Sequence, residues 1–189
     1  MKRSSAVAFF ALATLAVLTA GCGYNTIQTM DERVNQAQGQ IQAQLQRRAD
    51  LIPNLVNTVK GITKQEDTVF ISIADARSRL GGAIQSGNIP EMAAANNALN
   101  QGLGRLIAIS ENYPELRSSE NFRQLQDQLE GSENRISVAR QDYNTAVGEF
   151  NAYIRRFPYN ITAKVFSLGK PREYFEAAAG AGEAPKVQF

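Results

Sequence analysis

The sequence contains no histidine, and its only cysteine is Cys22. Without histidine there is no Ser-His-Asp or Cys-His nucleophilic chemistry, no histidine-ligated zinc and no ordinary general base near neutral pH. A single cysteine forms neither an internal disulfide nor a cysteine-rich metal site. What remains for acid–base work is carboxylates, lysine and tyrosine, so the expectation is a non-enzymatic protein with no cofactor and no metal. Net charge is also nearly absent: 20 Lys and Arg stand against 18 Asp and Glu, giving +2. Residues 1–21 hold no acid, and setting aside Lys2 and Arg3 leaves 18 against 18. A neutral chain lacks the basic footprint of a nucleic-acid binder, so no nucleic-acid partner is expected. The length of 189 residues suits one domain with an ordinary core.

What is present begins with MKRSSAVAFFALATLAVLTAGC, where a positive head is followed by an apolar run and a small-residue exit. That order is a secretory signal. The thirteen residues Ala6 to Leu18 would rise only about 20 Å, short of the ~30 Å hydrocarbon core that a membrane-spanning helix crosses. Thr19-Ala20-Gly21 before Cys22 resembles the lipobox of bacterial lipoproteins, although Leu18 lies one step further from the cysteine than is usual. The resemblance implies a signal peptide at 1–21, lipidation of Cys22 and a short tether at 22–26. Two or three acyl chains anchor stably, since each buried CH₂ contributes ~0.8 kcal/mol and one chain alone is marginal.

From Ile27 the apolar spacing is helical. Ile27, Met30, Val34, Ala37, Ile41 and Leu45 step by three or four, and the pattern resumes through Ile52, Val56, Val59, Ile73 and Leu80. Pro53 would leave the Ala49 carbonyl without its helical donor, so a kink or break is expected there. Gly81-Gly82 and Ser86–Asn88 mark the end of this run. A second helix opens at Asn88-Ile89-Pro90-Glu91, with Asn88 as N-cap, and ends at Pro114. The third starts after Ser118 or Ser119 and carries a stripe from Phe122 to Phe157, skipping one turn at Ser132. These patterns predict an all-α, antiparallel up-and-down bundle of three long helices, four-helix-like if the first divides at Pro53. Residues 27–179 form the bundle domain. Within it, Ile161, Val165, Phe166 and Leu168 are expected to pack back onto the helices, and 172–179 to form a short helix. Residues 180–189 read as a tail ending on Val187 and Phe189.

Few motifs suggest chemistry. Gly102-Leu103-Gly104 lacks the third glycine and the strand of a dinucleotide fingerprint, and close helix packing explains it better. Polar residues beside the apolar stripes form a candidate binding face: Arg47, Arg48, Asp50, Glu133, Asn134, Arg140, Asn144 and Asn151. They read either as a groove for a ligand or peptide, centred on Arg48, Asp50, Asn134 and Arg140, or as ties that hold helices in register. An enzyme built on Asp50 or Glu133 with Tyr143 is a third reading, requiring two of them within hydrogen-bond reach in an open cleft.

Three segments, QLQRRADLIPNLVNTVKG (44–61), the run from Glu111 to Pro158 and YFEAAAGAGEAPKVQF (174–189), together resemble the LemA family. The resemblance implies a helical bundle tethered to a membrane near its N-terminus, and CGYNTIQ after a lipobox is similar to the lipoprotein branch. Gln65-Glu66 departs from the His-Glu often found in the family. The family supplies no reaction. The expectation is therefore a lipid-anchored scaffold or adaptor for another envelope protein, with a homo-oligomer as a variant. It would sit outside the cytoplasmic membrane or, since Gly23 is not acidic, at the outer membrane of a diderm cell.

Overall fold

The computed structural model describes residues 2–61 and 67–176, with side chains from Gly23 onward. The side chain of Cys22, Gln65-Glu66 and the tail 180–189 lie outside these described residues. The described chain is all-α, with no strand among the described residues. Its helices are α1 (Lys2–Lys60), α2 (Asp67–Ser86), α3 (Ile89–Ser110), α4 (Pro114–Ser118), α5 (Glu120–Tyr153) and α6 (Tyr159–Val165). They fall into two compact units. One holds residues 1–38 and 142–173, the other residues 39–141 and 174–189.

The second unit contains four long helical segments, from α1, α2, α3 and α5. Each contributes a buried stripe: Ile41, Leu45, Ile52, Leu55 and Val59; Phe70, Ile73 and Leu80; Met92, Leu99, Leu103 and Leu106; Phe122, Leu129 and Ile136. Burying each such side chain contributes about 1.5–3 kcal/mol against the entropy of ordering it. Gln42 Nε2 donates to the Ile84 carbonyl (3.3 Å) and Arg77 Nε to the Ala49 carbonyl (2.8 Å), so α1 and α2 run antiparallel.

The second of these contacts explains Pro53. The proline lies inside α1, which continues to Lys60, and the chain leaves the helix only at Gly61. Proline has no N–H to give the Ala49 carbonyl, and the Arg77 guanidinium supplies that bond from the neighbouring helix. The division of the first long helical run thus falls after Lys60.

Local signals place the other ends. Gly87, at φ 69°, takes the left-handed conformation that closes α2, with the Asn88 N–H reaching the Ala83 carbonyl. Gly81 and Gly82 lie within α2 and do not end it. Asn88 Oδ1 accepts from the Glu91 N–H (3.1 Å), the N-cap that the sequence implies. Ser119 Oγ accepts from the Phe122 N–H at the start of α5. Between them the short α4 buries Leu116, and nothing in the helical periodicity announced it.

In the first unit, Ile27 and Val34 on α1 and Tyr143, Val147 and Phe150 on α5 are buried. Three expectations are corrected here. The buried stripe of α5 does not reach Phe157, because the helix ends at Tyr153 and Phe157 is 79% exposed. Ile161 and Val165 do not pack inward, and Phe166 touches Tyr24 of α1 yet stays largely exposed; α6 buries Thr162 and Ala163 instead. Residues 172–176 are not helical. The reason is that side chains of α5 have taken the backbone groups a helix would use.

Candidate functional site

Three apolar stripes in the second unit are each interrupted by a polar residue. On α1, Arg48 stands between Leu45 and Ile52; on α3, Asn96 stands between Met92 and Leu99; on α5, Ser132 and Glu133 stand between Leu129 and Ile136. The interruptions meet. Arg48 Nη1 donates to Asn96 Oδ1 (3.1 Å) and to Glu133 Oε2, so one guanidinium ties three helices together. The Ser132 hydroxyl donates back to the Leu129 carbonyl (2.7 Å) and needs no partner from another helix.

The Arg48 side chain is only 6% exposed and that of Glu133 43%, so the pair reaches from the core towards solvent. Burial pushes the Arg48 guanidinium below the ordinary arginine value, and the charge and hydrogen bond of Glu133 act in the opposite direction. Arginine stays charged even so. The ion pair therefore neutralises a cation that could not otherwise be left in an apolar core. Arg48 Nε is buried without a partner, as are Gln44 Oε1 one turn earlier on α1 and Asn100 Oδ1 one turn later on α3. Such a polar column costs stability relative to an apolar one, but it admits few alternative registers.

The first unit holds a different network. Asn151, buried on α5, donates through Nδ2 to the Arg172 carbonyl (2.9 Å) and accepts from the Arg172 N–H (2.8 Å) through Oδ1. The Tyr143 hydroxyl, two turns earlier, donates to the Glu173 carbonyl (2.8 Å). The Arg172 side chain turns to α1, where Nε and Nη2 donate to Asp31 Oδ1 (3.0 and 2.7 Å) and Nη2 also reaches Asn35 (3.3 Å). Residues 172–173 thus form a strap between α1 and α5. Burial pushes the Tyr143 hydroxyl above the ordinary tyrosine value; Arg172 opposes that shift and Glu173 adds to it.

The candidate polar face is accordingly divided. Arg48 and Glu133 come together, and Asn151 joins the strap. Asp50 is exposed and accepts from Gln46 (2.8 Å), Arg47 and Asn134 are exposed, and Arg140 and Asn144 are half-buried. Sequence reasoning missed Asn96, Arg172, Asp31 and Asn35. For Asn96 the signal was available as a polar residue at a step of the apolar stripe; for the strap there was none, because no periodicity runs through residues 166–176. Gly102 packs as its motif suggested: a Cβ there would meet Ile73 Cγ1 of α2 at 2.8 Å. Among the described residues, no group of His, Cys, Asp or Glu side chains is arranged to hold a metal ion, and no helix is long and apolar enough to cross a membrane.

The sequence model of the LemA family matches residues 37–189. Among curated proteins, the chain is 28% identical over 187 residues to magnetosome proteins MamQ 1 and MamQ 2 of Paramagnetospirillum magneticum (strain ATCC 700264 / AMB-1), covering 87% of this chain and 68% of theirs. It is 25% identical over 180 residues to magnetosome protein MamQ of Magnetospirillum gryphiswaldense (strain DSM 6361 / JCM 21280 / NBRC 15271 / MSR-1), covering 83% and 66%.

Proposed function

The chain belongs to the LemA family, and we propose that it is a lipid-anchored envelope protein whose helical bundle acts as a non-enzymatic scaffold or adaptor for another envelope protein. The observation that carries this reading is the tripartite N-terminal segment ending in Cys22, set on a helix that continues without interruption to Lys60. An acyl anchor at Cys22 would enter the bundle through α1 itself, with no flexible linker between lipid and fold. The curated relatives named as magnetosome proteins are in keeping with a role at a membrane. The buried polar groups support the scaffold part of the reading. Asn96 and Glu133 both accept from Arg48, and Asn151 and Tyr143 hold the chain's own strap.

Replacing Cys22 with Ala in the full chain tests the anchor. Acyl labelling should disappear and the protein should move from the membrane to the soluble fraction; unchanged labelling and fractionation would sink the proposal. The scaffold role is tested by photo-crosslinking in cells from Val138, an exposed apolar side chain of α5. One discrete heavier species containing a second envelope protein is the expected product.

A further inference from the structure

Helix α6 has its amphipathicity inverted. It buries Thr162 and Ala163, while Ile161 is 54% and Val165 70% exposed. Phe157 lies in the turn before the helix and Phe166 directly after it, and both are exposed. Ile161 and Val165 stand four residues apart on the helix and so share one face, and Phe157 adds a third exposed apolar side chain from the turn before it. A seven-residue helix with its branched side chains turned outward has no stabilising reason to do so in water, where contiguous apolar surface marks an interaction site.

The surroundings select the occupant. Between Glu149 and Glu173 the chain has five cationic residues and no acid. Arg172 is bound to Asp31, which leaves Arg155, Arg156, Lys164 and Lys170 exposed on the segment that carries the apolar patch. An apolar patch on a segment that carries cations and no acid is complementary to a bilayer with anionic headgroups. The position of α6 agrees. Tyr159 packs against Gly23, where an added Cβ would lie 2.6 Å from the ring, and the Phe166 ring meets that of Tyr24 in a tilted contact at 4.7 Å between centroids. The patch therefore sits level with residues 23–24 of α1, directly after the apolar N-terminal segment.

We infer that α6 and its flanking turns are a membrane-contact surface, which inserts Phe157, Ile161 and Val165 among the acyl chains of an anionic bilayer and sets its cations against the headgroups. This surface fixes how the first unit lies on the membrane, which an acyl chain on a single atom does not. It is a separate claim from the lipidation of Cys22, and the two fail separately. Loss of acylation is read by fractionation, whereas the contact is read at α6 itself.

The chain contains no tryptophan, so Phe157→Trp in the full-length protein is a single reporter. It is reconstituted into vesicles of phosphatidylcholine and phosphatidylglycerol with brominated acyl chains. The expected result is a blue-shifted emission that bromolipid quenches. Ile71→Trp, an equally apolar and exposed site on α2 in the second unit, should show neither effect. Arg155→Glu with Arg156→Glu should reduce the quenching at Phe157→Trp by about twofold or more, and vesicles of phosphatidylcholine alone should do the same. Emission at Phe157→Trp that is unchanged by vesicles overturns the inference. So does a blue shift in vesicles that bromolipid does not quench, which would mean that a second copy or the chain's own tail covers the patch. Equal quenching at Ile71→Trp would show unspecific adsorption and overturn it as well.

Discussion

Arg48 in one unit and Arg172 in the other both gather an aspartate or glutamate and an asparagine, yet they stand in opposite settings. Arg48 leaves the middle of a helix and is 6% exposed; it has one acid, one amide and an unpartnered Nε. Arg172 leaves a non-helical strap and is 38% exposed, with three side-chain contacts and its own backbone held by Asn151. Water can replace much of what Arg172 would lose, and very little of what Arg48 would lose. The buried arginine therefore specifies an arrangement at a cost, whereas the half-exposed one fastens a segment cheaply.

Removing the acid from each pair should separate the two most widely. Glu133→Ala should cost about 2–3 kcal/mol in chemical denaturation, less than the 3–5 of a wholly buried pair because Glu133 is half-exposed. Asp31→Ala should cost about 1 kcal/mol or less, as for an exposed ion pair. Arg48→Met should cost less, about 1–2 kcal/mol, since Glu133 can turn to solvent and only the buried Asn96 Oδ1 is left without its donor. Equal losses for Glu133→Ala and Arg48→Met would break the contrast.

A smaller effect is expected where the second unit has another orphaned group. Arg77→Leu strips the Ala49 carbonyl of its donor and should cost about 1–2 kcal/mol. In a Pro53→Ala background the helix regains its own N–H, and the cost of Arg77→Leu should fall below about half of that value. A double-mutant cycle with no coupling would refute the pairing of Arg77 with the proline.

The smallest effect belongs to the strap. Tyr143→Phe should cost about 1 kcal/mol at neutral pH, the worth of one hydrogen bond. Because the folded tyrosine titrates above its unfolded value, the contribution is fully present below about pH 10 and is lost as pH rises through the folded value. The stability difference between parent and Tyr143→Phe should accordingly narrow above pH 10. A difference that stays constant with pH would place the hydroxyl outside the strap.

The helical pattern and its punctuation could be read without the fold. The stripes from Ile27 to Leu45, the Asn88 cap and the start of α5 after Ser119 depend on residues within a turn or two of each other, and local sequence contains all of that information. Of the candidate site, the sequence marked Arg48, Glu133 and Asn151 as polar residues beside apolar stripes, and the structure gave each of them a partner. It could not name those partners. Asn96 lies 48 positions from Arg48, and Asp31 lies 141 from Arg172. A polar side chain near a stripe is compatible with several partners until the helices are docked.

The sequence by itself determined that the described chain is all-α, where α3 and α5 begin and which faces of the long helices are apolar, because helix periodicity and capping are short-range properties. Only the tertiary structure decided that Pro53 leaves α1 uninterrupted, that residues 172–173 are not helical and that α6 turns its larger residues outward. In the first two cases the deciding hydrogen bonds come from Arg77, Asn151 and Tyr143, donors that belong to other elements. In the third, the Tyr159 ring packs against Gly23 of α1 and stacks on Tyr153 of α5, contacts that bring together residues far apart in the sequence or on different elements.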